Sequence, residues 1–391
     1  MCIRDRWVAC ACSLWTQAQE SGFPGRNVNV VGPPPAEFPF ALPDDGLRQQ
    51  NEPSCAVNPE NPLQVCCGFN DYRGIDIPEL GDAWQGLACS RDGGGSWNSQ
   101  LIAGSRVDQE FSLNLEFSAD PNLVAAPGGL FFNYIAANRD QVGGLYTQRY
   151  AWRNKEDGWP LIQVGGPVLV AKGTSGRFID KPHMLGFLDD NSGATVSMDW
   201  SDASGAQSRT LPAGNLGVAA AVFVGNDNND GTKILYWNSS DWGATWDQPT
   251  KLTESKGVNS GINLAANGDN VCAVWRRFDD TNESNSILYA CSSDRGQRFT
   301  KPAELHVDMC PFDLTTLDGS VGFGDVFPVA FRSNAFPVIA ADGEDFYVFW
   351  SDRGFAAASS GAAGCEPLVD DGTGNLTYNP NGSFGRIVYK T

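Results

Sequence analysis

A short pattern, Ser-x-Asp-x-Gly-x-x-(Trp/Phe), occurs three times in this chain, at Ser90–Trp97, Ser239–Trp246 and Ser292–Phe299. Each part has a mechanical reason. Asp92, Asp241 and Asp294 are placed to accept hydrogen bonds from their own turn, Gly94, Gly243 and Gly296 supply a positive φ, and Trp97, Trp246 and Phe299 fold back over the hydrophobic layer. The second and third copies start 53 residues apart, at Ser239 and Ser292, close to the length of one four-stranded propeller blade. The first two are 149 residues apart, so a blade with a worn turn fits between them, ending at Asp157-Gly158-Trp159.

The three copies resemble the Asp-box, or bacterial neuraminidase repeat, of the sialidase-like β-propellers. The resemblance spans residues 50–391 and implies an all-β fold of four-stranded antiparallel blades. It implies six blades, of which this chain carries about five, because the last strand pattern, Gly385–Thr391, stops short of a further box. Short aromatic and β-branched runs between Gly and Pro turns, with no 3.6-residue stripe, agree with that class. Inner strand pairs are expected at 51–57 with 65–73, 122–126 with 130–135, 180–186 with 194–202, 259–265 with 271–279, and 332–338 with 346–353.

Composition narrows the compartment and the partner. Net charge is −19, which argues against nucleic acid or an anionic membrane, and no apolar run reaches the ~18 residues of a membrane span. Met1–Arg6 resembles a translated sequencing adapter; Trp7–Trp15 then reads as the tail of a signal-peptide apolar region, with cleavage after Thr16-Gln17-Ala18. Residues 1–18 are therefore set apart from an extension at 19–49, and the chain is expected to be secreted or periplasmic. Cys55, Cys66, Cys67, Cys89, Cys272 and Cys291 fall in apolar strands and read as small buried hydrophobes, while Cys310 and Cys365 lie on loops that a disulfide would join. No Cys/His spacing supports a metal, and Asn226–Gly231 lacks the distal Glu of a calcium loop. No cofactor is expected, and the oligomeric state is left open.

Strand direction places the site. In an up-and-down blade the start of the first strand and the end of the second lie on one face, and the Asp-box turn lies on the other. Arg73, Arg139, Arg276, Arg277 and Arg353 occupy comparable strand ends, with Asp71, Asp140, Asp202, Asp279 and Asp352 beside them. This ring reads either as inter-blade salt bridges or as a pocket for an acidic glycan, because a guanidinium grips a carboxylate bidentately. The sialidase resemblance matches Arg73 to an active-site arginine, Arg332 to the late-blade arginine and Asp82 to the acid/base. It puts Asn51 where the first triad arginine belongs, and no Tyr/Glu nucleophile pair is assignable. Glycan recognition without assured catalysis, an active exo-α-sialidase-type hydrolase and a protein-binding propeller all remain open.

Overall fold

The computed structural model describes residues 28–31, 48–76, 79–153, 158–189, 193–202, 205–224, 231–253, 257–278, 285–307, 309, 334–352, 368–370, 376–378 and 386–390. Blade one is β1 (Gln50–Val57), β2 (Val65–Asp71), β3 (Trp84–Ser90) and β4 (Asn98–Leu101), paired antiparallel in that order. Blade two is β5 (Phe117–Ala126), β6 (Gly129–Ala137) and β7 (Gly143–Trp152), with its outer strand split into β8 (Leu161–Gln163) and β9 (Val168–Gly173). In blade three, β10 (Ile179–Leu188) is followed by a separate hairpin, β11 (Thr195–Asp202) and β12 (Gly205–Pro212), and the sheet continues with β13 (Gly214–Phe223), β14 (Thr232–Ser239) and β15 (Thr250–Lys251).

Blade four is β16 (Asn259–Asn267), β17 (Asn270–Arg277), β18 (Ser286–Ser292) and β19 (Ala303–Val307). The fifth sheet has β20 (Val338–Asp342) and β21 (Asp345–Asp352); a small hairpin of β22 (Leu368–Asp370) and β23 (Leu376–Tyr378) precedes its third strand, β24 (Arg386–Lys390). No α-helix occurs among the described residues.

The innermost strands β1, β5, β10, β16 and β20 contact one another in sequence order, which is the arrangement of a β-propeller. Hydrophobic layers fill the spaces between successive sheets. Trp84 and Leu87 of blade one pack with Leu130 and Tyr134 of blade two, and Phe131 and Leu145 of blade two pack with Val218 and Trp237 of blade three. Tyr236 meets Trp275 across the next seam, and Val274 meets Trp350 across the one after.

One hydrogen bond recurs at every described seam. Ser54 Oγ accepts the backbone N–H of Leu123 at 3.0 Å, Asn122 Oδ1 that of Met184 at 2.9 Å, His183 Nδ1 that of Leu264 at 3.3 Å and Asn263 Oδ1 that of Ile339 at 3.0 Å. In the middle of the series, each acceptor residue immediately precedes the residue whose N–H bonds to the blade before it. The side chains thus satisfy innermost backbone groups that have no further strand to pair with.

The three Ser-x-Asp turns share one hydrogen-bond pattern. Ser90, Ser239 and Ser292 donate to the carboxylates of Asp92, Asp241 and Asp294 at 2.7, 2.8 and 2.8 Å, and accept from the N–H groups of Gly94, Gly243 and Gly296 at 2.9, 2.8 and 2.9 Å. The three glycines have φ of 98°, 79° and 80°. Trp97, Trp246 and Phe299 are half-buried and not fully enclosed; the enclosed aromatic is Trp242, one residue before Gly243, stacked on Phe131 at 5.2 Å with its indole N–H donated to Pro212.

The structure departs from three sequence expectations in blades three and five. The partner of β10 is β13, whose Gly- and Ala-rich run is buried almost throughout, whereas residues 194–202 alternate in exposure and form the first strand of the inserted hairpin. Asp202 therefore sits opposite Gly205 at the hairpin tip and not at a blade end. The first strand of the fifth sheet is 338–342, after a stretch at 334–337 that is not strand.

The six strand cysteines are not free thiols: Cys55–Cys67, Cys66–Cys89 and Cys272–Cys291 are disulfides between directly paired residues of neighbouring strands. Blade one is stapled twice and blade four once. Such bridges belong to chains that fold in an oxidising compartment. No described helix is long and apolar enough to cross a membrane. Cys310, Cys365 and Asn226–Asp230 lie outside the described residues, as do Asp157, Asp279, Arg332 and Arg353.

Candidate functional site

Four inner strands share an irregularity at the same place. The register of β1, β5, β10 and β16 slips at 51/54, 119/122, 180/183 and 260/263, a β-bulge in each case. Within those bulges Glu52, Asp120, Lys181 and Gly261 have φ of 53°, 57°, 47° and 67°, and Ala335 before β20 has 48°. A left-handed conformation costs a residue with a Cβ roughly 1–2 kcal/mol. Pro53, Pro121 and Pro182 follow the three charged residues, where the missing N–H leaves no ladder bond unmade.

The bulges aim three charged side chains at one another. Lys181 Nζ lies 2.5 Å from Glu52 Oε1 and 2.9 Å from Asp120 Oδ1, and the Lys181 backbone N–H reaches Asp120 Oδ2 at 2.9 Å. One ammonium, supplied by blade three, thus joins carboxylates of blades one and two. Asn70 donates to Glu52 Oε2 at 3.1 Å and to Asn51 Oδ1 at 2.9 Å, while buried Gln85 donates to Asn70 Oδ1 at 3.0 Å and so fixes which way that amide faces. Glu52 and Lys181 remain partly open to solvent, with side chains 43% and 33% exposed; Asp120 beneath them is 8% exposed.

The cluster separates its groups electrostatically. Burial opposes the Lys181 charge, but Asp120 and Glu52 outweigh it and hold the ammonium above the ordinary lysine range. Burial pushes the neighbouring Asp180 carboxyl up, against Lys181 and a hydrogen bond with Asp120, and Glu52 adds to the rise.

On the same face, Arg139 of the β6–β7 turn forms an ion pair with Asp82, which precedes β3 in the neighbouring blade. The Arg139 side chain is 72% exposed and its guanidinium lies 5.9 Å from the Phe117 ring, while its backbone N–H bonds to Glu116. The Ser118 N–H donates to the Ala83 carbonyl at 3.1 Å, joining this pair to the blade-two strand that carries Asp120 two residues on. Asp140 accepts the Val142 N–H within the adjoining turn at 3.0 Å.

The other predicted ring members are engaged within the sheets. Arg73 is buried against Asp71, with Nε 2.8 Å from Oδ2, and donates to Ser99 at 2.9 Å. Arg276 is buried, donates to the Asn334 carbonyl and to Asn285, and lies 3.9 Å over the Phe278 ring. Arg277 pairs with Glu304 at 2.5 Å, and buried Asp352 with His306 at 3.3 Å. The geometry therefore brings Asp82 and Arg139 together but sets Arg73 and Arg276 as interior ion and hydrogen-bond partners.

Glu52, Asp120 and Lys181 were missed among the sequence candidates. Their signal is the recurrence of a charged residue, a proline and a seam acceptor: Glu52-Pro53-Ser54, Asp120-Pro121-Asn122 and Lys181-Pro182-His183. Among the described residues no group of His, Cys, Asp and Glu has the arrangement of a metal site.

No family model and no curated protein matches the sequence. Among solved structures, the chain is similar to the GH93 α-L-arabinofuranosidase of Fusarium graminearum, with 14% identity over 84% of this chain and 79% of that one, at a TM-score of 0.47. It is similar to the α-L-arabinanase of Penicillium chrysogenum, with 13% identity over 90% and 84%, at 0.45. The Trypanosoma rangeli sialidase gives 10% identity over 83% of this chain and 47% of its own, at 0.45.

Proposed function

We propose that this chain is a secreted, sialidase-like propeller whose Ser-x-Asp turns are Asp-boxes and whose opposite face recognises a glycan at Glu52, Asp120 and Lys181. The observation that carries the reading is the contact of Lys181 with both carboxylates, formed by three side-chain-bearing residues in left-handed bulges. The left-handed conformation recurs in all five innermost segments, and in three of them it carries a charged side chain to one meeting point, which supports a binding role for those three. Sugar hydroxyls both donate and accept, so they match an ammonium flanked by carboxylates and the Asn70 amide. Asp82 and Arg139 extend the polar surface outward.

A second reading makes the same groups hydrolytic. Lys181 gathers the Glu52 and Asp120 carboxylates around one ammonium, and the Asp180 carboxyl beside them is raised by burial. In this reading Asp180 protonates the leaving oxygen and an ionised carboxylate faces the anomeric carbon.

A glycan array carrying neutral and sialylated structures tests the first reading. Retention by the wild-type protein that is lost in Glu52→Gln supports it; retention of no glycan sinks it and leaves the protein-binding alternative. Fluorogenic neutral glycosides and sialosides test the second. Turnover abolished by Asp180→Asn supports hydrolysis, and turnover indifferent to Asp180→Asn refutes that assignment.

A further inference from the structure

The four bulges and the left-handed Ala335 before β20 divide the axial face into two unlike halves. Blades one to three present Glu52, Asp120 and Lys181, whereas blade four presents Gly261 and the fifth sheet Ala335. The bare half has an aromatic side chain of its own. A Cβ placed on Gly261 would run into the ring of Phe336, so the glycine is required by the close approach of that ring as much as by its positive φ. Phe336 is half-buried and meets Phe278 edge-on, with ring centroids 6.2 Å apart and an interplanar angle of 80°. Arg276 lies over Phe278 and donates to the Asn334 carbonyl, two residues before Phe336, which fixes the segment from beneath. Blade four lies directly beside blade three, and Gly261, against the Phe336 ring, holds in its bulge the position that Lys181 holds in the neighbouring one.

We infer that Phe336 is a specificity-determining residue of the axial site, stacking against the apolar face of a neutral sugar ring whose hydroxyls face Lys181, Glu52 and Asp120. This deepens the glycan reading above and rests on it. A pyranose or furanose has one C–H-rich face and a hydroxyl-bearing rim, and a site with one aromatic and one charged half orients such a ring uniquely. The sign of the charged half selects against an acidic sugar: Glu52 and Asp120 outnumber the single ammonium, and an added carboxylate meets repulsion in a partly desolvated setting.

The test titrates a panel of neutral methyl glycosides, and sialyllactose separately, into wild type, Phe336→Leu, Phe336→Trp and Lys181→Met by calorimetry. Thermal melts accompany each variant. Phe336→Leu keeps most of the packing against Phe278 but removes the π-face; Phe336→Trp enlarges it. The inference predicts that a neutral glycoside binds wild type, weakens about tenfold in Phe336→Leu, and is held in Phe336→Trp. Unchanged affinity in Phe336→Leu together with loss in Lys181→Met overturns the role of Phe336 and leaves the axial site standing. Tighter binding of sialyllactose than of every neutral glycoside overturns the assigned sugar class. Absence of binding to all of them removes the axial reading and the inference with it.

Discussion

His183 Nδ1 accepts the backbone N–H of Leu264 at 3.3 Å, filling at the blade three–four seam the place that Ser54, Asn122 and Asn263 fill elsewhere. Only an unprotonated Nδ1 can accept. The low-dielectric seam agrees, pushing the imidazole down to about 4 from 6.5. A histidine depressed in the folded state is neutral in both states above 6.5. Below that the unfolded chain takes up a proton that the native one refuses.

The His183 contribution should therefore be lost as pH drops from about 6.5 to about 4, lowering stability by on the order of 3 kcal/mol. His183→Asn supplies the same acceptor without the titration and should flatten that limb. Chemical denaturation across the window measures it, and an equally steep limb in His183→Asn would place its origin elsewhere.

A second acid limb belongs to the turns. Hydrogen bonds from the Ser96 side chain and backbone, and from Ser90, hold Asp92 at about 2 against an ordinary 3.8. A depressed carboxylate stabilises above its unfolded value and loses that contribution as pH falls through the folded one, here from about 4 to about 2. Asp92→Asn should reduce the pH dependence below 4 and leave the limb between 6.5 and 4 intact.

The three disulfides should appear as Cys55–Cys67, Cys66–Cys89 and Cys272–Cys291 in non-reducing peptide mapping. Replacing Cys66 and Cys89 together by serine should cost about 2–4 kcal/mol. A bridge between adjacent Cys66 and Cys67, or free thiols at these positions, contradicts the strand register.

Arg73 separates a structural arginine from a ligand-binding one. Its guanidinium is buried on Asp71, so Arg73→Met should destabilise by about 3–5 kcal/mol by stranding that carboxylate. Glycan affinity of the surviving folded fraction should be unchanged. A stable Arg73→Met protein with weakened glycan binding would restore the arginine to the site.

The blades were legible in the sequence because their turns are local: Ser, Asp and Gly within a few residues carry the whole hydrogen-bond pattern. Blade three misled because residues 194–202 have a strand's alternation, and only the buried Gly/Ala run of 214–223 matches the interior position beside β10. The disulfides depend on which residues stand opposite across a ladder, and a cysteine in an apolar strand reads equally well as a buried hydrophobe. The axial cluster was hidden differently. Glu52, Asp120 and Lys181 are far apart in the chain, and side chains at the starts of strands meet only because each strand is bulged at the same level. The arginines stand at strand ends in the sequence, but Arg73 and Arg276 turn inward in the fold.

Glycan binding at the axial site depends first on the joint action of Glu52 and Lys181. A double-mutant cycle of Glu52→Gln and Lys181→Met, read by calorimetry on the strongest glycan from the array and checked by melting temperature, isolates that pair. Each single variant should lose roughly tenfold or more in affinity, and the double variant should lose less than the two losses combined. Wild-type affinity in both single variants, with the fold intact, would contradict it.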